Sequence, residues 1–430
     1  MEKPAILGGK PVREKAWPVW PIWDDTEEKN ILDVLHSGNW WRHSYGQGVE
    51  LAEDEQNSQS TVARFQRMYA RNRGCDYGIC AANGTVTIEM SLRAAGIRPG
   101  DEVIVPPYTY IATASAVLMV GAIPIFTDID QNTYNIDPLR IEEAISDRTR
   151  AIIPVHFGGQ PCDMDAIQRI ADKHNLIVIE DAAHAHGSSY NNRPTGSLGD
   201  LASFSFQNSK PMTAGEGGMI STNNQSYAET IESLVWAGRK KGQPWYKHFV
   251  LASNYRMTEF QGAILIAQLA RLDEQVKVRM TNGHYLDQLL GEIEGISPLT
   301  FLPTTTHHTY HIYMFRYDPG AFHQLPKNKF VDALLAEGVS GVMGGYTHPL
   351  YKNPMFLEKN FMGGPYPLIP AIYPKELNYA DFEEMCPITE RACASEAVLL
   401  TQNMLMGDLS DIEDICQAIK KIQLQSAQLV

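Results

Sequence analysis

Short apolar runs alternate with amphipathic stretches between residues 74 and 221 of this 430-residue chain. Short runs that are apolar on both faces are typical of strands in a parallel sheet, and helices usually connect such strands. The pattern therefore predicts an α/β fold with a mostly parallel sheet under helical cover. The predicted strands are 79–82, 102–105, 123–126, 151–155, 176–179, 202–206 and 218–221. The predicted helices are 86–95, 111–120, 141–145 and 164–174.

The pattern changes in the C-terminal part of the chain. Residues 258–290 carry apolar side chains at helical spacing, which predicts one long helix that leaves the sheet and enters a second unit. Apolar and polar residues alternate over 310–317, which predicts a strand. The pattern over 329–337 predicts an amphipathic helix. The segment 353–378, rich in Pro, Gly and aromatic residues, predicts an ordered insertion or a long loop. The expected units are an N-terminal arm at 1–40, a large domain at 41–275 and a smaller α+β domain at 276–430.

Composition limits the possible partners. The chain has 50 acidic and 36 basic residues and a formal net charge of −14. Nucleic acids and anionic membranes attract clustered Lys and Arg, so neither is expected as a partner. No apolar stretch approaches the ~18 residues that span a bilayer, and the N-terminal apolar run is too short for a signal peptide. The six cysteines are scattered without a CxxC pair, which predicts buried reduced thiols, no metal site and a cytoplasmic protein.

Asn83-Gly84-Thr85 falls between a predicted strand and a predicted helix. Backbone amides at the start of a helix, together with the Thr85 hydroxyl, form a place for a phosphate group. Asn-Gly is also a common turn, so this pattern alone leaves both interpretations open.

Glu180-Asp181 directly follows another predicted strand. Carboxylates at the carboxyl ends of parallel strands lie where α/β sheets bind ligands. An Asp at this place could keep a pyridinium nitrogen protonated, because the ion pair favours the charged ring. The alternative is that Asp181 caps the next helix.

Lys210 follows the predicted strand 202–206 and precedes the glycine-rich turn Gly215-Glu216-Gly217-Gly218. An amine in such a turn is placed to reach an aldehyde in a cleft, and Ser205 could face the same ligand. A lysine in a polar turn is otherwise usually solvated, and that alternative stays open on this pattern alone.

Taken together, these patterns resemble the DegT/DnrJ/EryC1/StrS aminotransferases, a branch of the fold-type I pyridoxal-phosphate enzymes. The resemblance extends through most of the chain and is weakest at about 353–378. Further matching segments, in order, are Gly100-Asp101-Glu102-Val103-Ile104-Val105-Pro106, Tyr108-Thr109-Tyr110-Ile111-Ala112-Thr113, Val155-His156-Phe157-Gly158-Gly159, Glu180-Asp181-Ala182-Ala183-His184-Ala185-His186-Gly187 and Asn254-Tyr255-Arg256-Met257.

The resemblance implies pyridoxal 5'-phosphate as cofactor and assigns the residues that contact its ring. Lys210 takes the place of the Schiff-base lysine, and Asp181 that of the carboxylate on the pyridine nitrogen. Tyr110 takes the place of the aromatic residue that stacks on the ring. His184 stands where many relatives have Gln, near the phenolic oxygen of the cofactor.

The resemblance also implies a phosphate site and a homodimer. Gly84, Thr85 and Ser205 resemble the phosphate ligands of the family. Asn254 resembles the residue that reaches the phosphate from the partner subunit, which implies active sites shared across the dimer.

The activity that the resemblance implies is amino transfer to a ketone on a sugar or cyclitol, with glutamine or glutamate as donor. The residues 7–12 and 17–21 resemble scyllo-inosose aminotransferases, whereas 207–217 resemble 3-amino-5-hydroxybenzoate synthases. Nucleotide-sugar aminotransferases form a third group. Family members that act as keto-sugar dehydratases have His in place of the lysine, and Lys210 counts against that activity. A non-catalytic regulatory protein is a further alternative, but the chain has no basic helical stretch to bind DNA.

Four side chains are weaker candidates for the acceptor site. We expect them to lie on the solvated surface instead. They are Arg239, His307, His308 and His311.

Overall fold

A seven-stranded sheet lies at the centre of the structure, a computed structural model that describes residues 3–41, 60–244, 246–361, 364–365 and 377–430. The strands in these residues are β1 (Tyr77–Ala81), β2 (Glu102–Val105), β3 (Ile123–Phe126), β4 (Thr149–Ile152), β5 (Ile177–Asp181), β6 (Ser189–Tyr190), β7 (Arg193–Pro194), β8 (Leu201–Ser205), β9 (Gly218–Thr222), β10 (Ile296–Pro298), β11 (Thr305–His307), β12 (Ile312–Tyr317), β13 (Val342–Met343), β14 (Asn360–Phe361), β15 (Gly364–Pro365) and β16 (Ala397–Thr401). The strand order of the seven-stranded sheet is β1-β9-β8-β5-β4-β2-β3.

Helices cover the sheet and continue into a second unit. None of the helices in the described ranges is long and apolar enough to cross a membrane. The α-helices are α1 (Asp25–Ser37), α2 (Thr61–Arg73), α3 (Gly84–Ala94), α4 (Ala112–Met119), α5 (Pro138–Glu143), α6 (Met164–His174), α7 (Gln225–Val235), α8 (Glu259–Gly291), α9 (Lys327–Ala336), α10 (Pro354–Leu357), α11 (Phe382–Met385), α12 (Pro387–Arg391) and α13 (Leu409–Gln425).

The main sheet is mostly parallel, as predicted. Strands β3, β2, β4, β5 and β8 run parallel to one another, and β9 is antiparallel to both β8 and β1. Every residue of β2 and β3 is buried, because helices pack on both faces. Parallel strands end at the same edge of the sheet, so the residues that follow β5 and β8 come together there.

Local sequence fixes the ends of the connecting helices. In α6, the side chain of Asp163 accepts a hydrogen bond from the Ala166 amide and so caps the first turn. The helix ends at Asn175, whose φ of 53° lies in the left-handed region that Asn tolerates. The observed helix coincides with the predicted 164–174.

A second core surrounds a four-stranded sheet of order β10-β12-β16-β13. It packs residues of β12 and β16 against α9 and α13, including Phe315, Leu400 and Ile419. Helix α8 has 33 residues, about 50 Å long at 1.5 Å per residue, and it contacts both cores. The predicted boundary between residues 275 and 276 falls inside this helix, and the three-part division of the chain stays a prediction.

The N-terminal arm ties the two cores together. Arg13 Nη1 lies 2.7 Å from carboxylate oxygens of both Asp411 and Asp414, at the start of α13. Helix α1 packs on α8, where Arg271 pairs with Glu27 and Asp24. The arm thereby follows a path from the second core to the main sheet.

Two further predictions concern the insertion and the cysteines. Within 353–378, residues 362–363 and 366–376 lie outside the described part of the chain. The preceding residues contain α10 and β14, which are ordered elements. All six cysteines are buried free thiols, as predicted.

Candidate active site

Asp181 ends β5 at the carboxyl edge of the parallel strands, and its side chain is buried. Thr113 Oγ1 donates a hydrogen bond of 2.8 Å to Asp181 Oδ2, and the Ala183 amide donates one of 3.3 Å to Oδ1. Burial raises the pKa of Asp181, while these hydrogen bonds and the charge of Lys210 oppose the shift. Residues 182–187 form turns and no helix, so the alternative in which Asp181 caps a helix is wrong. Asp181 therefore offers a carboxylate held by donors inside the protein.

Lys210 lies in the turn after β8, where its amide donates 2.9 Å to Gln207 O. Its side chain is half-buried, and its amine makes no hydrogen bond or ion pair with the described residues. Burial lowers the pKa of Lys210 to about 8, although the nearby carboxylate of Asp181 raises it. The amine is therefore readily deprotonated to its nucleophilic form. The alternative of a fully solvated lysine is wrong.

Side chains from two distant segments clamp the lysine turn. Trp20 Nε1, in the N-terminal arm, donates 2.9 Å to Asn208 O. Gln402 Nε2, just beyond β16, donates 2.6 Å to Ser209 O. The turn is thus held between the arm and the second core, which fixes the place of Lys210.

Gly84, Thr85 and Ser205 come together beside the start of α3. The side chain of Asn83 caps the helix by accepting from the Val86 amide, and no hydrogen bond within the described ranges uses the Gly84 and Thr85 amides. A Cβ on Gly84 would lie 2.7 Å from Ser205 Cβ, so only glycine allows this approach. Two free amides and two hydroxyls at a helix N-terminus form a cradle for a phosphate.

Tyr110 lies at the beginning of the turn before α4 and is 60% exposed. It has a second aromatic neighbour, Tyr346, which sequence reasoning missed. Burial raises the pKa of Tyr346, and the proximity of Asp181 and Tyr110 raises it further. Tyr346 also contacts Phe157, with a ring-centroid distance of 6.0 Å. Tyr346 therefore lies near both Tyr110 and the buried carboxylate of Asp181.

His184 is buried, and its protonation is fixed by a backbone donor. The Gly158 amide donates 3.3 Å to His184 Nδ1, so the proton of the neutral ring is on Nε2. Burial and the nearby Lys210 hold the pKa of His184 well below its usual value. His184 is therefore a hydrogen-bond donor through Nε2, as the amide of a Gln would be.

His186 supports the strand that carries Ser205. Its Nε2 lies 2.8 Å from Ser205 O and its Nδ1 lies 2.6 Å from Tyr69 Oη. The carbonyl can only accept, so Nε2 is the donor and Nδ1 accepts from the tyrosine hydroxyl. Burial lowers the pKa of His186 to about 3, which keeps the ring neutral. His186 lies in the segment 180–187, which resembles the family, and this position could have identified it as a candidate site residue.

The expected surface position is wrong for two of the four weaker candidates. His308 and His311 are buried at 4% and 6% exposure. Between them, the Thr309 amide donates to Ser188 Oγ and Thr309 Oγ1 donates to His186 O, which holds this segment against the turns that follow β5. His307 is exposed, as expected. The fourth candidate, Arg239, is half-buried.

Among the described residues, no hydrogen bond links Asn254 to the other candidate cofactor ligands of its own chain. Asn254 is exposed, its backbone pairs with Trp236, and its Oδ1 accepts 3.4 Å from the Arg256 amide. The structure therefore brings together the predicted residues Gly84, Thr85, Tyr110, Asp181, His184, Ser205 and Lys210, but not Asn254. In the described part of the chain, no group of three or more His, Cys, Asp or Glu is arranged to hold a metal ion.

The pKa of Lys210 gives a testable pH dependence. Only the neutral amine attacks an aldehyde, so the rate at which the protein without cofactor captures pyridoxal 5'-phosphate should rise about tenfold per pH unit below 8 and level off above it. Asp181→Asn removes the charge that raises this pKa and should move the midpoint to lower pH. Stopped-flow absorbance measures both profiles. A midpoint near 10.5, the ordinary value, would mean that Lys210 is solvated.

The sheet order and the site at its carboxyl edge define a fold-type I transferase. Residues 49–419 match the DegT/DnrJ/EryC1/StrS aminotransferase family, and the chain belongs to this family. It is 36% identical over 425 residues, 98% of this chain and 97% of the relative, to a Micromonospora echinospora protein named as a candidate L-glutamine:3-amino-2,3-dideoxy-scyllo-inosose aminotransferase.

Two further relatives agree with this assignment. An L-glutamine:2-deoxy-scyllo-inosose aminotransferase of Streptoalloteichus tenebrarius is 35% identical over 441 residues, covering 99% of this chain and 98% of that protein. The crystal structure of a 3-amino-5-hydroxybenzoic acid synthase is similar with a TM-score of 0.81 and 32% identity, over 95% of this chain and 99% of that one. The protein is therefore an aminotransferase, which leaves the regulatory alternative without support.

Proposed function

We propose that the protein transfers the amino group of L-glutamine to a ring ketone of a cyclitol of the inosose type, with pyridoxal 5'-phosphate as cofactor. The observation that carries this proposal is the proximity of Lys210 and Asp181 at one edge of the sheet, where the pKa of each is shifted by burial and by the charge of the other. Relatives named for L-glutamine and inososes cover nearly the whole chain, which supports this donor and this acceptor class.

The residues of the site fit the proposed cofactor. Gly84, Thr85 and Ser205 form the phosphate cradle, and Gly84 is required there by its contact with Ser205. Asp181 matches a protonated ring nitrogen, and Tyr110 offers a free aromatic face to the ring. The donor set is thus complete for phosphate, ring nitrogen and aldehyde.

The chemistry of the chain's own residues follows from these positions. When bound, pyridoxal 5'-phosphate stores the amino group and withdraws electrons from the reacting carbon. Lys210 would hold the cofactor by its amine, and the free amine would move a proton to and from the substrate carbon. Asp181 would hold the proton at the ring nitrogen, and His184 would donate through Nε2 to the phenolic oxygen. L-Glutamine leaves as its 2-oxo acid, and the acceptor ketone leaves as an amine.

A direct assay tests this function. The purified protein is incubated with 2-deoxy-scyllo-inosose and L-glutamine labelled with ¹⁵N at the α-amino group, and the products are analysed by mass spectrometry. We expect a labelled amine of the cyclitol and the unlabelled 2-oxo acid of glutamine. Glutamine labelled only at the side-chain amide is the control and should give an unlabelled amine.

A second candidate function is that of a 3-amino-5-hydroxybenzoate synthase. The similarity of the whole fold to such an enzyme, with a TM-score of 0.81, supports it, as do residues 207–217. The same assay with an aminoshikimate-type ketone distinguishes the two. Formation of an aromatic amine from that ketone, with no amination of inososes, would favour the synthase.

We also propose a homodimer with shared active sites. Asn254 is exposed and lies in a segment that presents apolar side chains to solvent, with Leu251 90% exposed and Tyr246 75% exposed. Exposed apolar patches of this kind mark interaction surfaces. A partner subunit over this segment would bring Asn254 to the phosphate cradle of the other chain.

Mixed dimers test the shared site. A dimer of one Lys210→Ala chain and one Asn254→Ala chain should contain one intact site, because the intact lysine and the intact asparagine then meet in the same site. At limiting cofactor, we expect the mixture to exceed the activity of both parent homodimers. Subunit exchange is verified with two affinity tags. No gain after verified exchange would mean that Asn254 does not serve the partner's site.

A further inference from the structure

His311 is a buried histidine next to the candidate active site, and its ring has no hydrogen-bond partner among the described residues. It precedes β12 and is 6% exposed, and its ring centroid lies 4.4 Å from that of His184. Nδ1 is fully buried and unpaired, and Nε2 also makes no hydrogen bond to the described residues. Buried polar groups are normally paired, since an unpaired one loses its hydrogen bonds to water without replacement. An unpaired imidazole beside His184 therefore requires an explanation.

The backbone before His311 holds the ring in this place. Tyr310 has a φ of 49°, a left-handed conformation that is unfavourable for a bulky residue. Its amide donates 2.8 Å to His308 Nδ1, and its ring stacks on that of His308 at 3.9 Å. The neighbouring Thr309 amide donates 3.1 Å to Ser188 Oγ. Strained backbone that is held by so many contacts is common at ligand sites.

The two ring nitrogens of His311 differ in access. Solvent does not reach Nδ1. Nε2 also has no partner among the described residues, but it is accessible. Nε2 is therefore the atom that can meet a ligand. The His184 ring lies 4.4 Å from that of His311, and Lys210, His186 and Arg279 also act on it, so the ligand that Nε2 meets lies in the cleft of the candidate active site.

The charge state of His311 limits the kind of ligand group. Burial, together with His184 and Lys210, holds the pKa of His311 well below its usual value, so the ring is neutral. A neutral imidazole offers one donor and one acceptor, which suits a hydroxyl group. A neutral ring binds a carboxylate less strongly than a cation does. The His311 ring itself is thus better suited to an alcohol than to the carboxylate of the amino donor, and the cations near it are Lys210 and Arg279.

We propose that His311 is a specificity-determining residue whose Nε2 forms a hydrogen bond with a ring hydroxyl of the acceptor ketone. This proposal rests on the proposed function and adds the group that distinguishes a polyhydroxylated ring from a less hydroxylated one. The His184 ring packs against the His311 ring, with their centroids 4.4 Å apart, and this contact keeps the His311 ring in place. The amino donor, which lacks a ring hydroxyl, makes no use of this contact.

Separate half-reactions test the proposal. His311→Phe keeps an aromatic ring against His184 but removes both nitrogens, whereas His311→Gln places an amide near the position of Nε2. For His311→Phe we expect the reaction of the loaded enzyme with L-glutamine to stay within about threefold of wild type. The reaction of the pyridoxamine 5'-phosphate form with 2-deoxy-scyllo-inosose should lose about 10- to 100-fold in kcat/KM, as for a lost hydrogen bond to substrate. His311→Gln should recover part of that loss.

His307→Phe is the matched control, because His307 lies on the exposed side of the same segment. It should leave both half-reactions unchanged. Thermal unfolding and the dissociation constant for pyridoxal 5'-phosphate should show that His311→Phe still folds and binds the cofactor.

The outcomes separate failure of this proposal from failure of the proposed function. An equal loss in both half-reactions would overturn the proposal and make His311 a support for His184. A loss with L-glutamine alone would overturn the proposal and assign His311 to the binding of the amino donor. No loss in either half-reaction would overturn the proposal as well. Failure of the wild-type enzyme with every inosose would contradict the proposed function instead. The variants would then be compared on whichever hydroxylated ketone the wild type accepts, and the same three outcomes would overturn the proposal.

Discussion

Replacing Lys210 by alanine should lower amino transfer at least a thousandfold while the protein stays folded. The lysine amine is proposed both to hold the cofactor and to carry the proton at the substrate carbon, and the loss of a proton carrier alone typically costs 10²–10⁴-fold. The side chain contributes little to stability, because it is half-buried and makes no hydrogen bond or ion pair with the described residues. Turnover above about a thousandth of wild type would contradict the assignment.

A second lysine provides the control for this experiment. Burial also lowers the pKa of Lys327 to about 8, but its amine already donates to the carbonyls of Ala392 and Cys393. Lys327→Gln should keep the visible absorbance of bound cofactor, and borohydride should fix the cofactor to this variant. Lys210→Ala should show neither property. If Lys327→Gln lost the band and Lys210→Ala kept it, the two assignments would be reversed.

Asp181→Asn should slow proton removal from the amino donor by at least a hundredfold. An amide cannot hold a proton at the ring nitrogen by charge, so the electron withdrawal that stabilises the carbanion falls. Binding of the cofactor should change less than tenfold, because Lys210 and the phosphate cradle remain. Single-turnover absorbance with α-deuterated and unlabelled L-glutamine measures this step, and the isotope effect should increase.

Thr113→Val gives a graded comparison. It removes the 2.8 Å hydrogen bond to Asp181 but leaves the carboxylate, so we expect a loss of about tenfold or less. Wild-type rates in Asp181→Asn would mean that the carboxylate has a structural role only.

Sequence patterns were sufficient for the main sheet. The predicted strands 102–105 and 123–126 coincide with β2 and β3, because strands buried on both faces leave continuous apolar runs. Asp181 and Lys210 were found by their place after such strands, and the structure puts both at the same edge. Helix α13 was passed over, although Ile412, Ile415 and Ile419 have helical spacing.

The burial of His308 and His311 could not be read from the sequence. Their segment is polar, and it is buried only because Thr309 bonds to Ser188 and His186, more than a hundred residues away. Local propensity and periodicity carry no information on such distant pairing. The periodicity of a single sequence also does not predict the role of Asn254, since the site that we propose for it lies in another subunit.

The central claim is amino transfer to a free cyclitol ketone, and a half-reaction panel tests it most directly. The enzyme in its pyridoxamine 5'-phosphate form is mixed separately with free keto-sugars, inososes, aminoshikimate-type ketones and nucleotide-linked ketones. Return of the visible absorbance of the lysine-bound cofactor reports each transfer. We expect 2-deoxy-scyllo-inosose or a closely related inosose to restore the band with the highest kcat/KM. Restoration only by nucleotide-linked ketones, with no response to any inosose, would contradict the account.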